Sequence, residues 1–110
     1  MNITRSGRTT DVTTTIQDRV QAGMTLLDQR LPGWEDHIDL DRLDMRLFGS
    51  CILGQLYGSE VATENLGLQI TDSYQTNQVV QHGFGSGEHS YDDLTQAWRE
   101  AIKVRRLVPA

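Results

Sequence analysis

A small, mainly α-helical domain with one core, and at most a minor β element in its middle, is the fold class these 110 residues predict. Three observations carry that expectation. Apolar residues recur at steps of three and four near both ends of the chain, the period of one helical face. Pro and Gly cut the sequence into short pieces at 32–33, 58, 67 and 83–87, which suits short helices joined by turns. The length fits one domain, and Leu, Ile, Val and Phe supply about a quarter of the residues, enough for one modest core and too many for a disordered chain.

Taken in order, residues 1–10 are polar and read as a loose N-terminal arm, leaving 11–108 as the domain. Val12, Ile16, Val20, Met24, Leu27 and Leu31 then form one stripe, predicting a helix over 12–31. Asp11 or one of Thr13, Thr14 and Thr15 supplies its N-cap, and Thr15 with Asp18 has the spacing of a capping box. Pro32-Gly33 stops it, and Trp34 is expected to fold back on it. From 34 to 45 the spacing mixes twos and threes, as for a helical turn followed by an extended piece.

Residues 50–57 form an apolar run closed by Gly58, which predicts a buried helix with a glycine cap. Ser59 is placed to cap a short helix ending at Leu66. Residues 71–76 are turn-like. Over 77–82 two readings compete: Gly83-Phe84 suits a left-handed cap with a trailing apolar contact, whereas the β-branched pair Val79-Val80 suits a strand. The clearest helix starts at Ser90, with Asp93 at capping spacing, an inward stripe of Leu94, Trp98 and Ile102, and cations at its far end.

The net charge of −5 is unevenly spread. Between Arg46 and Arg99 there is no Lys or Arg, and cations gather only in the last helix. Binding a phosphate backbone needs several cations on one surface, so nucleic acid is not an expected partner. One cysteine allows no internal disulfide and no CxxC zinc pair. No run approaches 18 apolar residues and the first fifteen have no signal core, so no membrane partner is expected and a cytoplasmic setting is.

The remaining candidates are weighed on chemistry. Ser50, Gly54 and Gly58, spaced by four, would share a helix face and suit tight helix packing or a dimer seam. Gln55 lies beside that face and must find partners if buried. Cys51, at a helix start, meets one condition for an activated thiol, with His37, His82 or His89 as partners; its apolar neighbours favour a core role. Asp36, Asp39, Asp41 and Asp44 lack the spacing of a calcium loop, and the three His form no zinc signature, so neither metal nor cofactor is expected. Gly83, Gly85 and Gly87 precede a helix N-terminus, as in phosphate cradles, yet Glu88, Asp92 and Asp93 would repel an anion. That loop, Phe84 included, reads as a connection or a partner-contact surface.

Several segments together resemble a family of small actinobacterial and actinobacteriophage proteins. They are Leu26-Leu27-Asp28, Pro32-Gly33-Trp34, Ile38-Asp39-Leu40, Leu43-Asp44, the run Cys51-Ile52-Leu53-Gly54-Gln55-Leu56-Tyr57-Gly58, His82-Gly83-Phe84, and 94–102 with Ala97-Trp98-Arg99. The likeness covers about residues 16–102. It implies a phage or actinobacterial accessory protein and carries no functional residues. Some of those relatives have a second Cys just before the CxLGQ segment, where this chain has Phe48-Gly49-Ser50.

The expectation is therefore a non-catalytic protein acting through protein contacts on a host component, in the host cytoplasm if phage-encoded. Its surface would be the acidic middle with the loop Gly83, Phe84 and Gly85, Gln55 is a further binding candidate, and the Ser50, Gly54, Gly58 seam is available for self-association. The alternative is a binder of a nucleotide signal using Arg99, Lys103 and Arg106. A Cys51-dependent enzyme comes third.

Overall fold

A computed structural model describes residues 15–47, 49–58, 66–71, 73 and 76–107. Thr15 opens the first helix, α1 (Ile16–Arg30). Its hydroxyl accepts from the Asp18 amide at 3.0 Å, and the Asp18 carboxylate accepts from the Thr15 amide at 3.4 Å. That reciprocal pair satisfies two of the amides a helix start leaves over. The expected start at residues 12–14 lies outside the described residues. Val20, Gly23, Met24 and Leu27 form the buried stripe, and Arg19 is buried among them.

Past Leu31, Gly33 takes a left-handed conformation (φ 85°) that residues with a Cβ adopt with strain. The chain turns there and Trp34 falls back on α1, its indole N–H donating to Asp28 at 2.9 Å. A 3₁₀ turn, Trp34–His37, follows. From 38 to 51 the described backbone runs through turns without helix or strand. The second helix, α2 (Ile52–Tyr57), is capped by Cys51, whose Sγ accepts from the Gly54 amide at 3.3 Å; Gly58 ends it in the left-handed region.

The stretch in which strand competed with helix is a single helical turn, α3 (Gln78–Gln81). Among the described residues there is no strand. Asn77 decides the matter: its side-chain oxygen accepts from the Val79 and Val80 amides at 3.0 and 3.3 Å, which a strand would have offered to a neighbour. Gly83 (φ 74°) then closes the turn, and the Phe84 amide returns to the Val79 carbonyl. The segment expected to form a helix after Ser59 lies mostly outside the described residues. The last helix, α4 (Tyr91–Leu107), begins with the Ser90 hydroxyl accepting from the Asp93 amide at 3.0 Å, and carries acids in its first turn and arginines in its last.

The core gathers where α1, α3 and α4 meet. Trp98 is its hub: Trp34 meets it edge-on at 6.0 Å, Phe84 stacks on it at 5.6 Å, and its indole N–H donates to the Gly83 carbonyl at 2.6 Å. Leu27, Ile52, Leu94 and Ile102 fill the space around the two indoles and are fully buried. Gly23 lets α3 come this close. A Cβ there would overlap the His82 carbonyl oxygen and press on the Trp98 ring at 3.0 Å.

Candidate functional site

Most polar residues that the sequence offers as site candidates are engaged in holding the irregular 34–50 segment. That stretch has few repeating backbone partners of its own, so its carbonyls and amides need donors and acceptors from elsewhere. Arg99 gives one guanidinium nitrogen to the Leu40 and Leu43 carbonyls at 3.2 and 3.0 Å. Arg106 does the same for Glu35 and Ile38 at 2.6 and 2.7 Å. Thr95, buried on α4, accepts from the Met45 amide at 2.9 Å. Gln55 closes the other side, accepting from the Asp39 amide at 2.7 Å and donating to the Asp39 and Ser50 carbonyls. Arg105 lies over the Trp34 ring and pairs with Asp28 at 2.7 Å.

These bonds correct several expectations. Arg99 and Arg106 each commit one guanidinium nitrogen to two backbone carbonyls, while Lys103 is exposed, so holding the chain is the role these contacts give the two arginines. Gly83 and Phe84 are buried, Phe84 under Trp98, and are no contact surface; Gly85, half-buried, packs near Val79 and Val80. Nor do Ser50, Gly54 and Gly58 share a helix face. Cys51 caps the helix so that it starts at Ile52, leaving Ser50 before it, while exposed Gly58 is its left-handed end with no neighbour near where a Cβ would lie. Gly54 alone sits within α2, and it is buried.

In the acidic series, Asp39 and Asp44 accept from the backbone amides two residues on, at 3.0 Å each, closing local turns. Among the described residues no group of three His, Cys, Asp or Glu is arranged to hold a metal ion. Half-buried Cys51 serves as a helix cap.

Sequence reasoning missed two features. The first is a clamp on the glycine loop: Arg19, only 4% exposed, forks onto both carboxylate oxygens of Glu88 at 3.0 and 2.9 Å. Those hydrogen bonds hold the Glu88 carboxyl below its ordinary range. The signal was its place on the buried α1 face, four residues before Gly23.

The second is an open groove between α1 and α4. At one end it has a volume of about 530 Å³ and is lined by Thr15, Ile16, His89 and Asp93 among others. Farther along it holds about 300 Å³ over a floor of Val20, Met24, Ala97, Ala101 and Val104. Gln17, Ala97 and Glu100 line both stretches, making them one channel. Val104 is 61% exposed. Ala97, Ala101 and Val104 are spaced by four and three, a second stripe beside the core stripe of Leu94, Trp98 and Ile102.

No helix among the described residues is long and apolar enough to cross a membrane. Compared with known proteins, the chain matches no family model, no curated protein and no solved structure.

Proposed function

We propose that this chain is a non-catalytic accessory protein that acts by protein contact, and that the contact face is the α1–α4 groove. The observation that carries the proposal is the floor of that groove. Ala97, Ala101 and Val104, the first two half-buried and Val104 61% exposed, line a channel over the buried Val20 and Met24 that nothing else in the described fold covers, and exposed apolar surface gathered in one place marks interaction sites. The polar candidates point the same way, because Gln55, Arg99 and Arg106 already serve the backbone. The family likeness adds the setting, a phage or actinobacterial accessory protein meeting a host component in the cytoplasm.

The test is quantitative capture from an actinobacterial lysate with three forms of the full chain: wild type, Val104→Asp in the groove, and Leu47→Asp at an exposed apolar residue outside it. A protein held by wild type and Leu47→Asp but lost with Val104→Asp supports the reading. Equal capture by all three forms, or none by wild type, contradicts it.

A further inference from the structure

The groove's own chemistry narrows the kind of partner. This step rests on the protein-contact reading above and adds the shape and charge of what is held. Shape comes first. The floor runs from Asp93 to Val104 along α4, about 16 Å at the helical rise. Its two walls are helices, whose interior amides and carbonyls are already paired with each other. An extended peptide laid there would find no free strand edge for its backbone groups. A helix brings its own hydrogen bonds and needs only side-chain contact. Ala97 and Ala101 keep the floor low, so a helix backbone can come close.

Charge comes second. The groove's carboxylates are Asp93 and Glu100, both on α4, and its other polar lining is mainly glutamine: Gln17, Gln21 and Gln96. No Lys or Arg is among its described lining residues. An apolar stripe flanked by carboxylates is complementary to an apolar stripe flanked by cations, and that pairing sets both register and encounter rate.

We propose that the α1–α4 groove holds a cationic amphipathic helix of about three turns, contributed by a partner protein. Such a helix sets its apolar face on Ala97, Ala101 and Val104 and brings Lys or Arg against Asp93 and Glu100.

The experiment is fluorescence anisotropy on the full chain at physiological salt. The probes are synthetic amphipathic helices of about 14 residues with one Leu stripe and a polar face of Lys, Gln or Glu. The Leu/Lys helix is expected to bind at least about tenfold more tightly than Leu/Glu. Asp93→Asn with Glu100→Gln should remove most of that preference. Asp36→Asn with Asp41→Asn, the same charge change at exposed positions outside the groove, should shift it by less than about threefold. Circular dichroism confirms that each variant is folded.

Equal losses in the two double variants would overturn the proposal, since only net charge would then be sensed. Val104→Asp separates the two levels of inference. If it weakens every probe while the charge variants change nothing, the groove stands and the cationic helix falls. If it leaves Leu/Lys binding intact, both fall. A concentration-dependent dimer that Val104→Asp disperses would also overturn the proposal, assigning the groove to a second copy of this chain.

Discussion

Replacing Arg99 by Met keeps most of the aliphatic stem and removes the guanidinium from the carbonyls of Leu40 and Leu43. The loss can be worked from the two bonds. A hydrogen bond from a charged donor contributes about 1.5–3 kcal/mol net, with the lower end suited to partly solvated geometry. The 3.0 Å bond to buried Leu43 then counts for about 1.5 kcal/mol. The 3.2 Å bond to half-buried Leu40, whose carbonyl can turn to water, counts for about 0.5 kcal/mol.

Together they predict a loss of about 2 kcal/mol, or a fall in Tm of about 8 °C for a domain of this size. Urea unfolding followed by far-ultraviolet circular dichroism reads it directly. With an m-value of about 1.5 kcal/mol per molar, the midpoint should drop by about 1.3 M at unchanged slope. Arg99→Lys should lose about half as much, since it keeps one charged nitrogen for the two carbonyls but carries it on a flexible stem. If Arg99→Met unfolds within about 0.5 kcal/mol of the parent, the carbonyls of the 34–50 segment are satisfied some other way and the clamp account is wrong.

Three other outcomes follow from the same structure. Glu88 has its folded pKa depressed, chiefly by the hydrogen bonds from Arg19, so its contribution is present above the unfolded carboxyl value and is lost as pH falls through the folded one. Thermal melts between pH 6 and 3 should show Tm falling below about pH 4, less steeply in Glu88→Gln; parallel curves for the two forms would refute this. Gly23→Ala must push the His82 carbonyl and the Trp98 ring aside, costing about 2–3 kcal/mol in urea unfolding. Exposed Gly49→Ala, with open space at that position, should stay within about 0.5 kcal/mol. Cys51→Ser keeps an acceptor for the Gly54 amide and should unfold close to the parent, while Cys51→Ala should cost about 1 kcal/mol.

Local chemistry made much of this fold legible. Thr15 with Asp18, Ser90 with Asp93, Pro32-Gly33 and Gly83-Phe84 act within a few residues, and each does in the structure what its spacing implies. The inward stripe at Leu94, Trp98 and Ile102 needed only the helical period. The candidate site was harder to read because its determinants act across the chain. Nothing near Arg99 or Arg106 says that carbonyls some 55 to 70 positions upstream await them. Phe84 looks exposed in a glycine-rich loop, yet Trp98 takes it into the core. The small-residue face depended on where α2 begins, and a single Cys51 cap moves that start past Ser50. Ala97 and Ala101 lie beside the core stripe of Leu94, Trp98 and Ile102, and their place in a groove emerges only when α1 lies against them.

Methyl chemical shifts of the full chain, recorded with and without the captured partner, ask directly which face it uses. Contact through the groove predicts the largest changes at Ala97, Ala101 and Val104, with Ile38, Leu40 and Val79 little moved. Perturbations centred instead on Ile38 and Leu40 beside the acidic segment, or on Val79 and Val80 beneath the glycine loop, would contradict it.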